Sequence, residues 1–98
     1  MLCTLIILYS SIAKSETIFC SNNGGDNLWA HTVSGTITYS PAIGLGWELD
    51  FTVEKKAKDY FFSGNNMRVA VIQSETMRYA VITNTAKAKL SRLRCQRP

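Results

Sequence analysis

The chain has 98 residues, 46% of them hydrophobic and 18% charged, with three cysteines, one histidine and a formal net charge of +4. That length admits one domain. The charge is uneven: residues 16 to 84 hold five basic and seven acidic side chains, whereas the last fourteen hold Lys87, Lys89, Arg92, Arg94 and Arg97 and no acid. The body is therefore not a basic nucleic-acid surface, and the positive charge belongs to the C-terminal tail.

The apolar run Leu2-Cys-Thr-Leu-Ile-Ile-Leu-Tyr9 is too short to span a bilayer, so no stable membrane insertion is expected. Small residues follow, and both Ser11-Ile-Ala13 and Ala13-Lys-Ser15 fit a leader-cleavage pattern, although no charged side chain precedes Lys14. Residues 1 to 15 thus read as a secretory signal, with a mature start between Lys14 and Glu16 and an extracellular location. Cys3 leaves with the leader. Cys20 and Cys95 remain, and an even count in a secreted chain favours a disulfide between them; two free thiols or pairing between chains is the alternative.

Thr17-Ile-Phe-Cys20 reads as a short strand ending at the turn cluster Ser21-Asn-Asn-Gly-Gly-Asp26, rich in residues that tolerate positive φ. Trp29 follows, and then Val33-Ser-Gly-Thr-Ile-Thr-Tyr39 alternates as a strand until Pro41 breaks it. Leu45-Gly-Trp-Glu-Leu-Asp-Phe-Thr-Val-Glu54 alternates without error. Trp47, Leu49, Phe51 and Val53 take one face, and Glu48, Asp50, Thr52 and Glu54 the other, so the segment is a strand with one buried and one wet face.

Lys55-Lys-Ala-Lys58 reads as a loop, and Tyr60-Phe-Phe62 as a brief apolar run closed by Ser63-Gly-Asn-Asn66. Met67–Ile72 and Met77–Ile82 flank Gln73-Ser-Glu-Thr76 as a hairpin. The buried set is expected to comprise Trp47, Leu49, Phe51 and Val53 with Ile37, Val69, Val71 and Val81. Five or six strands with frequent turns describe an all-β sandwich or barrel. From Thr85 onward alternation fails; Ala86, Leu90 and Leu93 match a helical stripe.

Catalytic patterns are missing. Glu48 and Asp50 share a strand face, but it is the wet one, whereas paired-carboxylate catalysis needs two acids converging on a cleft. His31 and two distant cysteines lack metal-ligand spacing. Gly24-Gly25 and Gly44-Leu-Gly46 lack the following helix and lysine of a phosphate loop. No enzyme activity and no cofactor are expected. Trp47 belongs to the buried strand face, whereas no alternating context forces Trp29 inward.

Asn27-Leu-Trp29, Val33–Tyr39 and Gly46-Trp-Glu-Leu-Asp-Phe51, with the later Arg78-Tyr-Ala-Val-Ile-Thr-Asn84, resemble a family-2-type carbohydrate-binding module over about residues 20 to 84. The resemblance implies a small antiparallel β-sandwich of immunoglobulin-like topology over residues 16 to 84, binding a β-linked polysaccharide of cellulose or chitin type. It puts Trp29 where a sugar-stacking tryptophan sits and Trp47 where a core one does. A disulfide between near-terminal cysteines also occurs in part of that family, which suits Cys20 and Cys95.

The chain departs from the family where two further platform tryptophans and the closing strands would lie. Residues 85 to 98 stand apart as a basic tail. The alternative function is an extracellular adhesion or matrix sandwich with a protein partner and no sugar binding. A cationic membrane-active peptide would rest on the tail alone.

Overall fold

The structure is a computed structural model that describes residues 16 to 86 and 89 to 97. The expected leader lies outside the described residues. Nine strands follow in chain order: β1 (Thr17–Ser21), β2 (Asn27–His31), β3 (Thr36–Ser40), β4 (Trp47–Asp50), β5 (Thr52–Lys56), β6 (Asp59–Gly64), β7 (Met67–Gln73), β8 (Arg78–Asn84) and β9 (Lys89–Cys95). They form one antiparallel sheet in the order β4-β3-β2-β1-β9-β8-β7-β6-β5. Each β-hairpin connection is short, as an up-and-down meander requires. Between β6 and β7, for instance, Asn65 and Asn66 both take positive φ (53° and 58°), the backbone of a two-residue turn that matches strand twist.

The outermost strands of that order, β4 and β5, are consecutive in sequence with only Phe51 between them. The inward series Trp47, Leu49, Phe51, Val53 continues through the junction without changing parity. One continuous run therefore pairs with β3 by its first half and with β6 by its second. The Phe51 amide donates to the Gly35 carbonyl at 2.9 Å, and the Asn65 side-chain amide donates to the Asp50 carbonyl at 2.9 Å. These bonds fix the crossing from both sides.

The result is a nearly closed barrel, which corrects the expected immunoglobulin-like sandwich. A sandwich needs two sheets with separate edges, whereas here the alternating strand joins the two edges of a single sheet. The all-β, antiparallel part of the reading stands. The likeness to a carbohydrate-binding module does not survive, because it implied the sandwich.

The register shows how the barrel closes. Following cross-strand partners from Ser21 one way, through Asn27 and Ser40, reaches the level of Gly46. The other way, through Arg94, Tyr79 and Ile72, reaches Lys56. The two arrivals lie about ten residues apart on the same run, the stagger that tilted strands need to close.

Alternation fills the interior. Ile18, Cys20, Leu28, Ala30, Ile37, Phe51, Tyr60, Phe62, Val69, Val71, Ala80, Ile82, Leu93 and Cys95 are buried, and Tyr39, Trp47, Leu49, Val53 and Met67 pack against them. Val81 is the exception to the expected set. Its run, Tyr79-Ala-Val-Ile82, is apolar at every position, so sequence does not fix its parity. The register pairs Ala80 with Val71 and Leu93, and Val81 with Ala70 and Arg92, which puts Ala80 and Ile82 inside and Val81 outside.

The tail is a strand and not a helix over Lys89–Cys95. Its inward residues are Leu93 and Cys95, while Leu90, the middle of the supposed helical stripe, is exposed. Strand β9 pairs with β8 along its whole length and with β1 only at Cys95 and Arg94. Cys20 and Cys95 form a disulfide there, Cα atoms 3.8 Å apart and 75 residues apart in sequence, so the barrel's most sparsely paired seam carries its covalent link.

Candidate functional site

Trp29 lies half-buried on the outer face of β2, opposite Phe19 of β1 and Thr38 of β3. Its ring meets Phe19 with centroids 5.2 Å apart and planes inclined at 46°. The stacking role given to Trp29 came with the sandwich face of the module, and the barrel wall offers no such face. Trp47 packs at the barrel rim between Tyr39 and Phe51, with centroids 5.3 and 6.2 Å away.

His31 is hydrogen-bonded through Nδ1 to the Thr17 hydroxyl at 3.0 Å. The outward carboxylates of Asp50 and Glu48 accept from the hydroxyls of Thr36 (2.9 Å) and Thr38 (3.0 Å). They brace a wet strand face and do not converge on a cleft. Among the described residues no group of three or more His, Cys, Asp or Glu could hold a metal ion, and no helix is long and apolar enough to cross a membrane.

A buried ion pair closes one end of the barrel. The Arg78 side chain is 3% exposed and donates to the Glu16 carboxylate at 3.0 and 3.4 Å, and to the Gln96 carbonyl at 3.4 Å. The Glu16 backbone is fixed by its amide, which donates to the Thr32 hydroxyl, and by its carbonyl, which accepts from the Thr32 amide and hydroxyl. With its charge already matched, this arginine is a structural plug: removing Glu16, itself 32% exposed, would leave the buried guanidinium without its counter-charge.

The seam between β1 and β9 is different. Because β1 ends at Ser21 while β9 continues back to Lys89, a groove of about 610 Å³ opens on the outer wall. Phe19, Tyr79 and Met77 supply apolar surface, Asn22, Asn23 and Gln96 supply amides, and Arg92 and Arg94 supply charge; no carboxylate lines it. The Arg92 guanidinium lies 5.6 Å from the Tyr79 ring centroid. Neither Arg92 nor Arg94 has an ion-pair partner among the described residues.

The backbone adds a second element. The Gln96 amide donates to the Phe19 carbonyl at 2.9 Å, and ladder groups alternate sides along a strand. The amide and carbonyl groups of Arg94, Arg92 and Leu90 therefore face the same way as those of Gln96. Ser21 pairs with Arg94; beyond it, no strand pairs with Arg92 and Leu90 on that side among the described residues. The groove thus contains an open strand edge beside two unpaired arginines.

The sequence reading missed this site because it set residues 85 to 98 apart as a basic tail. A signal was present: Leu93-Arg-Cys95 puts an apolar residue and the disulfide cysteine at a spacing of two, which turns the intervening Arg94 outward.

Asn22, on the groove's rim, is held by Asp26, whose carboxylate accepts from the Asn22 side chain at 3.0 Å and from the Ala42 amide at 2.9 Å. Tyr39 shares that carboxylate. Burial first, then the Asp26 charge and a hydrogen bond to it, raise the Tyr39 pKa. A phenol whose folded pKa exceeds its unfolded value of about 10 contributes fully below that pH, and the contribution is lost as pH rises through the folded pKa. Urea midpoints should accordingly fall less steeply above about pH 10 in Tyr39→Phe than in the parent chain. Equal slopes would show that the phenol's environment is not linked to folding.

No protein-family model, no curated protein and no solved structure matches this chain.

Proposed function

We propose that this protein is a secreted, non-catalytic binder that docks an extended acidic segment of a partner protein along the open edge of β9. The observation that carries the reading is the placement of Arg92 and Arg94, neither with a carboxylate partner, beside the unpaired strand edge at Leu90 and Arg92. An incoming strand would satisfy the free backbone groups of Leu90 and Arg92. Its alternate side chains would lie on the outer face, where carboxylates meet the two guanidinia. Phe19 and Tyr79 flank that path, and the groove's amides would bind the remaining polar groups. The disulfide supports an oxidising, extracellular setting.

Calorimetric titration with a short synthetic peptide alternating Glu and Val tests the reading. The peptide should bind, and its Gln-for-Glu counterpart should bind at least about tenfold more weakly, because charge-assisted bonds are lost. Arg92→Gln with Arg94→Gln, both outward-facing, should produce a similar loss while leaving the circular dichroism spectrum unchanged. A cello-oligosaccharide should give no heat. Equal affinity for the two peptides, or a double variant that binds like the parent, would remove the basis for an acidic partner.

A further inference from the structure

The six residues joining β3 to β4, Pro41-Ala-Ile-Gly-Leu-Gly46, contain no charge, and their two large side chains stand in solvent: Ile43 is 92% and Leu45 94% exposed. These are the most exposed large hydrophobic side chains among the described residues. The loop's base is fixed. Asp26 accepts from the Ala42 amide, and Gly46 lies so close to the Tyr39 carbonyl that no side chain would fit there. A held apolar projection is costly in water unless something covers it.

Elsewhere on the barrel is a surface of matching chemistry. On the outer wall of β5 to β8, the cross-strand neighbours Phe61, Ala70 and Val81 floor a groove of about 720 Å³, whose charged lining residues are Arg68 and the ion-paired Lys56 and Glu54. The loop cannot reach the groove of its own chain. Gly46 precedes the groove's first residue, Thr52, along one continuous extended run, a span of about 20 Å. Only another copy can bring the two together.

Charge favours the same pairing. Residues 16 to 51, which include the loop, carry four carboxylates and no Lys or Arg, whereas residues 52 to 98, which include the groove, carry ten Lys and Arg against three carboxylates. The wall of β1 to β4 is thus acidic and that of β6 to β9 basic, with β5 carrying both signs between them. Copies arranged head to tail set unlike charges together, and copies related by a two-fold axis through either side set like charges together. A membrane is disfavoured as the loop's partner because Asp26 and Glu48, not lysines, surround it.

We propose that Ile43 and Leu45 of one molecule insert into the Phe61–Ala70–Val81 groove of a second copy, a head-to-tail contact that leaves a free loop at one end and a free groove at the other. Such a contact is heterologous and propagates unless it closes into a ring. This contact is separate from the β9 edge, and the two stand or fall independently.

Sedimentation velocity on the full chain, with two variants, tests it. Ile43→Asp with Leu45→Asp removes the projection from solvent-exposed positions, and Ala70→Lys fills the groove floor from an outward position. The parent should show a weight-average mass that rises with concentration past the dimer and falls back in high salt. Each variant alone should be monomeric, with an unchanged circular dichroism spectrum and an intact disulfide. An equimolar mixture should form a one-to-one dimer and stop, because one intact loop and one intact groove remain.

A parent that stays monomeric at millimolar concentration would overturn the proposal, as would a mixture that stays monomeric. Self-association abolished by Arg92→Gln with Arg94→Gln but not by Ala70→Lys would move the contact to the β9 edge and refute the groove. A parent that is monomeric alone but binds zwitterionic phosphatidylcholine vesicles through Ile43 and Leu45 would assign the loop to membranes instead.

Discussion

Replacing both bridging cysteines, as Cys20→Ala with Cys95→Ala, is expected to lower unfolding stability by about 4 kcal/mol on the chain-entropy model. The link spans 75 residues, nearly the whole described chain, so its loss frees a long loop in the unfolded state. The native state suffers as well. Cys20 is fully buried and Cys95 nearly so, and they sit where β1 and β9 share only two register positions. A domain this small has little stability to spare. Urea denaturation of the double variant, and of the parent under reducing conditions, should give similar losses. A loss below about 1 kcal/mol would mean that the seam holds without its covalent link.

Gly35→Ala should be comparably severe, about 3 kcal/mol or more. Gly35 is buried with φ at +83°, a conformation costly for any residue with a Cβ. An added Cβ would also overlap the Phe51 carbonyl oxygen, which belongs to the residue that carries the chain from β4 to β5. The backbone at the barrel's crossing point would have to move, and the bond from the Phe51 amide to the Gly35 carbonyl would go with it. Gly44→Ala provides the contrast. Its φ is +97°, but a Cβ there meets nothing within 4 Å, so only backbone strain of about 1 kcal/mol applies. Thermal denaturation of the two variants should separate them clearly; equal losses would mean that the crossing is not sterically fixed.

The alternation of residues 45 to 54 was legible because its polar and apolar residues differ at every step, and Trp47, Leu49, Phe51 and Val53 do face inward. What local pattern could not show was that this one run pairs with β3 and then with β6. That depends on stagger accumulated around the whole barrel, and it decides between barrel and sandwich. The hairpin of β7 and β8 was visible from its polar turn, but the parity of Val81 was not, since its neighbours are equally apolar. Strand β9 was hidden for another reason. Its exposed Leu90 mimicked a helical stripe, while the inward pair, Leu93 and Cys95, was separated by an arginine. The candidate groove was hidden with it, because Arg92 and Arg94 gain their setting only once β9 lies beside the shorter β1. Trp29 drew the sequence reading by its place after a polar turn and by the resemblance; in the structure it lies half-buried beside its cross-strand partner Phe19.

Amide hydrogen exchange by NMR at Leu90 and Arg92, with and without the Glu-Val peptide, tests the central claim most directly. In the free protein these two amides should exchange much faster than those of Leu93 and Cys95, which face β8. The acidic peptide should slow Leu90 and Arg92 selectively and leave the outer face of β2 unchanged. Amides at Leu90 and Arg92 already protected in the free protein, or protection appearing elsewhere while they stay fast, would contradict an open edge on β9 as the place where a partner docks.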